Sequence, residues 1–140
     1  MSKILVAFWS ATGHTEKMAT AIADGIREAG AQADVIHVGD QPDITGYAKV
    51  AFGCPAMGAE VLEEGEFEPY FMSVEGSLSG KKIALFGSYG WGSGEWMQSW
   101  EDRVLSDGAN MFKNGLIINE DPDDAGVAEC KSFGKEFVAF

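Results

Sequence analysis

Ser10, Thr12 and Thr15 fall within six residues, with Gly13 and His14 among them, directly after the apolar run Ile4-Leu5-Val6-Ala7-Phe8-Trp9. Hydroxyls at the start of an amphipathic segment can hold an anion, because the first backbone N–H groups of a helix have no partner inside it. No Lys or Arg stands in 10–15, so a phosphate there would be bound by dipoles and hydroxyls, with Lys17 one turn later as the nearest cation. The same residues would equally serve an ordinary strand-to-helix turn capped by Ser or Thr.

Other chemistries lack their residues. No G-x-G-x-x-G follows an apolar run, since the glycines at 90, 92 and 94 lack one at the motif's last position, and neither G-x-x-x-x-G-K-[ST] nor G-x-S-x-G occurs. Dinucleotide, P-loop and nucleophile-elbow readings therefore fail. A receiver-like signalling domain would place acidic metal ligands at the end of its first strand, where this chain has Trp9-Ser10. Cys54 and Cys130 are far apart and form no C-x-x-C, which argues against zinc or a dithiol centre and for buried, reduced thiols.

The 140 residues suffice for one domain, 1–140, with a proper core, and a 46% apolar share marks it as globular. Twenty-two acidic residues against 10 basic ones give a net charge of -12, which repels nucleic acid and anionic membrane surfaces and calls for a partner with a basic patch. No stretch approaches membrane-spanning length and the N-terminal run lacks a cleavage pattern, so the expected location is the cytoplasm.

The elements that must position these residues alternate along the chain. Ile4 to Trp9 reads as a strand buried on both faces. Met18, Ile22, Ile26 and Ala29 recur at helical spacing, with Gly30 ending that helix. Val35, Ile36 and Val38, interrupted by polar residues, suit a strand at a sheet edge, with His37 on its surface. Val50 to Cys54 forms a third strand ending at Pro55, and a long loop with the acidic residues Glu63, Glu64, Glu66 and Glu68 follows. Ile83 to Gly87 is a fourth strand running into Ser88-Tyr89-Gly90-Trp91-Gly92. A helix from about Glu95 to Leu105 buries Met97, Trp100 and Val104. A fifth strand holds Leu116-Ile117-Ile118, and Asp121-Pro122 opens a last helix with Val127, Cys130, Phe133 and Phe137 inward. Such alternation predicts an α/β fold, a doubly wound five-stranded parallel sheet with helices on both faces. Ligands then bind at the carboxyl ends of the strands, where loops 10–15, 55–60 and 88–92 would converge.

These loops carry a resemblance. W-S-A-T-G-H-T-E-K-M-A at 9–19, G-C-P-A-M-G-A-E-V-L-E-E at 53–64 and L-F-G-S-Y-G-W-G-S-G-E-W-M at 85–97 are similar to the short-chain flavodoxins. The resemblance implies a flavodoxin-like strand order 2-1-3-4-5 with FMN at the switch point. It implies that Ser10, Ala11, Thr12, Gly13, His14 and Thr15 hold the FMN phosphate. In the loop Pro55, Ala56, Met57, Gly58, Ala59, Glu60, it lays Met57 on the inner flavin face, points the Gly58 carbonyl at N5 of the reduced flavin and has Glu60 accept from N3. Trp91 stacks on the outer face, backbone of Ser88, Tyr89, Gly90 and Gly92 meets the pyrimidine edge, and Asn119 lies near the ribityl or ring.

The family pattern usually reads Ser-Gly-Thr-Gly-Asn-Thr, and here Ala11 and His14 depart from it. Ala at a positive φ would cost about 1 kcal/mol or more, so position 11 is expected to have an ordinary φ. His14 keeps a donor and adds a titrating group, and Ala59 stands where Gly or a polar residue is common. The function expected from the resemblance is a low-potential one-electron carrier that cycles FMN between semiquinone and hydroquinone and has no substrate of its own. Its partners would be redox proteins with basic docking surfaces, engaged transiently by a monomer, without nucleic acid or membrane. The alternative on the same fold is an FMN-dependent NAD(P)H:quinone reductase, which Trp91 would obstruct.

Overall fold

The computed structural model describes residues 3–58, 61–90 and 92–140. A parallel sheet is built from β1 (Lys3–Phe8), β2 (Gln32–His37), β3 (Lys49–Gly53), β4 (Lys82–Tyr89), β5 (Asn110–Met111) and β6 (Leu116–Asn119). Its order is β2-β1-β3-β4-β5, as expected, with β6 also paired to β4. The anticipated fifth strand is therefore two pieces: β5 pairs with Lys82 and Ile83 at the start of β4, and β6 with Phe86 to Tyr89 at its end. β2 is the opposite edge, which accounts for its polar interruptions.

The helices are α1 (His14–Glu28), α2 (Phe67–Glu75), α3 (Glu95–Ser106) and α4 (Asp124–Ala139). Because successive strand side chains point to opposite faces, the unbroken apolar run of β1 splits into two cores. Ile4, Val6 and Phe8 join Met18, Ile22, Ile26, Cys130, Phe133 and Phe137 beneath α1 and α4. Leu5 and Ala7 join Phe52, Leu85, Phe67, Phe71, Met97 and Trp100 beneath α2 and α3. The sheet separates the two cores, so the central strands β1, β3 and β4 are apolar on both faces along their middles.

α1 and α4 meet closely where glycines face each other's backbone. A Cβ on Gly25 would lie 2.0 Å from the Lys131 carbonyl oxygen, and one on Gly134 would lie 2.2 Å from that of Ile22. No side chain fits at either crossing point.

Local expectations fail in several places: β2 stops at His37, and Val38, read as part of it, opens a 3-10 turn. Ala29 is exposed, since α1 has left the core by Arg27. α4 is capped by Asp123, whose carboxylate accepts from the Gly126 N–H, two residues later than the Asp121-Pro122 start expected. The acidic stretch taken for loop gives way to α2, with Pro69 in its first turn, where a missing N–H costs nothing. Glu63 replaces the usual capping residue there: its carboxylate accepts from the N–H groups of Gly65, Glu66 and Phe67 at 2.7 to 2.8 Å.

Candidate functional site

Three strand ends converge as the topology requires. β1 and β4 are separated only by β3, and the loops after all three enclose a cleft of about 270 Å3. Ser10, Ala11, Thr12, His14 and Thr15 line one end, Pro55, Ala56 and Met57 one side, and Ser88, Tyr89 and Gly90 the other. Gly13, Gly58, Gly92 and Asn119 stand near it in the chain without lining it. Ala59, Glu60 and Trp91, which the sequence also singles out, lie outside the described residues.

The polar end is set up for an anion. α1 begins at Gly13, which has φ +94°, and no side chain caps its first turn. Ser10, the obvious capping residue, instead accepts from the Gly13 N–H at 3.1 Å and closes the loop on itself. Gly13 occupies a conformation that any side chain would strain, whereas Ala11 is not among the described non-glycine residues at positive φ, as its identity demanded. Thr15 does not face the solvent. It is buried, with its hydroxyl 3.0 Å from that of Ser88, so it ties α1 to the end of β4.

Charge at this end is sparse. Lys17 is turned to Asp121 at 3.4 Å, and among the described lining residues His14 alone can carry a positive charge. Glu120 lines the cleft with the opposite sign. An anion here would thus be held by the uncapped N–H groups of the helix start and by hydroxyls rather than by ion pairing.

On the remaining walls Pro55, Ala56, Met57 and Tyr89 are half-buried, and hydrogen bonds fix the backbone around them. Ala56 N–H donates to Ser88 O at 3.0 Å, Met57 N–H to Val61 O at 3.0 Å, and Trp9 N–H to Gly53 O at 3.0 Å. Asn119 donates to the carbonyls of Tyr89 and Gly90 at 3.2 and 3.4 Å, so the structure places it as an anchor of that loop. Two lining residues escaped the sequence reading. Trp9 appeared there only as the end of a strand, yet it borders the cleft and its indole N–H donates to Glu66 at 3.0 Å. Glu120 has φ +55° and donates its N–H to Tyr89 O at 2.7 Å, and nothing local in the sequence marks it.

The thiols take no part. Both cysteines are free and buried; burial pushes the Cys54 thiol far up and that of Cys130 up to about 12. No group of three or more His, Cys, Asp and Glu residues among those described could hold a metal ion. A larger cleft, about 670 Å3, lies between 113–117 and α4, with Lys113 and Glu136 on its rim paired to each other. No helix among the described residues is long and apolar enough to cross a membrane.

A slot with an uncapped helix start at one end and apolar walls beyond suits a ligand with a phosphate and a flat ring. The donors at the polar end suit a phosphate, and Pro55, Ala56, Met57 and Tyr89 leave apolar surface for a flat ring such as that of flavin mononucleotide.

The family model described as Flavodoxin matches residues 6–134. A flavodoxin of Clostridium beijerinckii is 45% identical over 135 residues, covering 95% of this chain and 97% of that protein. A flavodoxin of Megasphaera elsdenii is 43% identical over 132 residues, covering 93% of this chain and 94% of that protein. The solution structure of two-electron reduced Megasphaera elsdenii flavodoxin has a TM-score of 0.89 at 41% identity, covering 98% of this chain and 99% of that one.

Proposed function

This chain belongs to the flavodoxin family of flavin-bearing electron-transfer proteins, and on that premise we propose that it binds FMN non-covalently in the cleft and works as a low-potential one-electron carrier. The observation that carries the reading is the uncapped start of α1 opening onto an apolar slot between Met57 and Tyr89. When bound, FMN supplies the redox chemistry, and the protein contributes binding, orientation and electrostatics.

The N–H groups at the start of α1 would hold the phosphate, with the Thr12 hydroxyl and the His14 ring beside them. Met57 would pack on one face of the ring and Trp91 on the other. Pro55 and Ala56 shield the slot from water, while Asn119 and Glu120 hold the 88–90 segment in place. The Gly58 carbonyl would accept a hydrogen bond from an N–H of the cofactor, and Glu60 would accept from an N–H at its opposite edge.

A net charge of -12 opposes any added electron. Each carboxylate at about 10 Å contributes roughly 0.4 to 1.7 kcal/mol for effective dielectrics of ~80 to ~20, and several together make the fully reduced carrier a strong reductant. The same charge draws partners with basic surfaces and releases them readily, as a transient monomeric carrier requires.

Titration of the apoprotein with FMN, followed by quenching of flavin fluorescence, is expected to saturate at one equivalent. Potentiometric titration of the loaded protein is expected to resolve two separate one-electron steps. Absence of saturable binding, or a single two-electron step together with turnover of NAD(P)H and a quinone, would overturn the proposal.

A further inference from the structure

We infer that Arg103, 36 residues or more along the chain from the segment it governs, is the positioning residue for residues 61–67 and, through the Met57–Val61 hydrogen bond, for the cofactor. The inference rests on the FMN reading above. Arg103 lies on α3 and donates Nη1 and Nη2 to Glu68 at 2.8 and 2.7 Å, and Nε and Nη2 to Glu75 at 2.8 Å each. Its guanidinium also sits 4.9 Å from the centre of the Phe71 ring. The three charged side chains are 21 to 30% exposed, so this is a half-buried clamp with two bidentate arms, unlike the loose surface pairs elsewhere.

The clamp fixes α2 at both ends, since Glu68 is in its first turn and Glu75 in its last. From Glu68 the ties run straight to the cleft. Glu68 N–H donates to Glu63 O at 2.9 Å, Glu63 N–H approaches Cys54 Sγ at 3.4 Å, and Met57 N–H donates to Val61 O. Glu66, one residue before α2, receives the Trp9 indole at the cleft's edge.

Packing does only part of this work: Leu62 and Phe67 are buried in the core beneath α2 and α3, but Glu63 between them is half-buried and Glu64, Gly65 and Glu66 are exposed. Val61 and Leu62 stand over a cavity of about 180 Å3 whose other walls are Trp96, Ser99 and Trp100, with Glu68 and Arg103 at its rim. Val61 is 39% exposed. Residues 63–66 lack the dense contacts that fix a core side chain, so their position depends on polar ties. Arg103 is where those ties reach the rigid helix α3.

Arg103→Lys keeps the charge and loses the fork. Glu68→Gln is the milder variant, leaving Arg103 and its Glu75 arm intact. In the apoprotein, both are expected to speed amide exchange at 57 and 61–67 by roughly tenfold, the equivalent of one charge-assisted hydrogen bond, and to weaken FMN binding by a similar factor. Val104→Ala, in the core on the same helix, is expected to lower the melting temperature and leave both readings unchanged. Lower melting temperatures in Arg103→Lys and Glu68→Gln, with exchange at 57–67 and FMN affinity both at wild-type values, would overturn the assignment. Wild-type protein that takes up no FMN would sink the cofactor reading instead, and the apoprotein exchange result would then decide for or against Arg103 alone.

Discussion

The Thr15 hydroxyl lies 3.0 Å from the Ser88 hydroxyl, both buried, and it also faces the Ser88 N–H at 3.4 Å. Seventy-three positions apart, these two residues join the start of α1 to the end of β4 and so set two sides of the cleft against each other.

The two ends of that contact are not equivalent. Thr15→Val removes the partner of both the Ser88 hydroxyl and the Ser88 N–H, whereas Ser88→Ala leaves Thr15 still facing the N–H. Thr15→Val is therefore expected to cost about 1 to 3 kcal/mol and Ser88→Ala less, because a buried unpaired polar group bears its full desolvation cost. Chemical denaturation of the two apoproteins checks the order, and a larger loss in Ser88→Ala would contradict it.

Gly58 is exposed, is not among the described glycines at positive φ, and a Cβ placed on it would meet nothing within 4 Å. Gly58→Thr is thus expected to leave apoprotein stability within about 0.5 kcal/mol of wild type. If the reduced carrier needs φ > 0 at this position, the β-branched side chain resists it, and the first one-electron potential should fall by ~40 to ~130 mV for a strain of about 1 to 3 kcal/mol. Potentiometry on both proteins at one pH tests this, with equal first potentials as the contrary result.

Glu63 and its neighbour Glu64 should behave differently despite sharing the acidic stretch. Burial tends to raise the Glu63 carboxyl, but N–H groups of Phe67, Glu66 and Gly65 outweigh it and hold the group below its ordinary range. A carboxyl lowered in the folded state stabilises above its unfolded value and loses that contribution as pH falls through the folded one. Glu63→Ala is expected to cost about 0.5 to 2 kcal/mol at neutral pH, as for loss of a helix cap, with the deficit fading in acid. Exposed Glu64→Ala should cost little, and thermal melts from pH 3 to 7 would show equal losses if the cap were unimportant.

Asp107 has the opposite sign. Desolvation, then a hydrogen bond and repulsion from Glu75, push its carboxyl up to about 6. The folded protein binds a proton there that the unfolded chain gives up, so this group's contribution declines as pH rises from about 4 to about 6. Asp107→Asn keeps a donor for Glu75 and removes the titration. The variant is expected to gain stability relative to wild type across that window and to hold the gain at pH 7, and parallel stability curves from pH 4 to 7 would refute it.

The sequence by itself determined the sheet and where its ligand loops fall. Ile4 to Phe8, Val50 to Phe52 and Ile83 to Phe86 are apolar without alternation, runs too short for a helix that suit a strand covered on both faces, and polar or glycine-rich residues follow each at its carboxyl end. Those are short-range signals, carried by neighbours along the chain. Position 11 was legible for the same reason, since an alanine restricts its own φ.

Tertiary structure decided what depends on partners distant in sequence. α2 was hidden because Phe67 to Glu75 carries Pro69 and acidic residues whose cost disappears once Glu63 caps the helix and Arg103, 35 residues beyond Glu68, pairs with it. The close crossing of α1 and α4 needs Gly25 against Lys131 and Gly134 against Ile22, which neither helix's periodicity reveals. Thr15 reads as one more hydroxyl in a phosphate loop until the sheet order brings Ser88 to it, and Trp9 reads as strand until Glu66 turns its indole to the cleft's edge. Side-chain type limits what a residue can bond, but the packed layers choose which of the possible partners it meets.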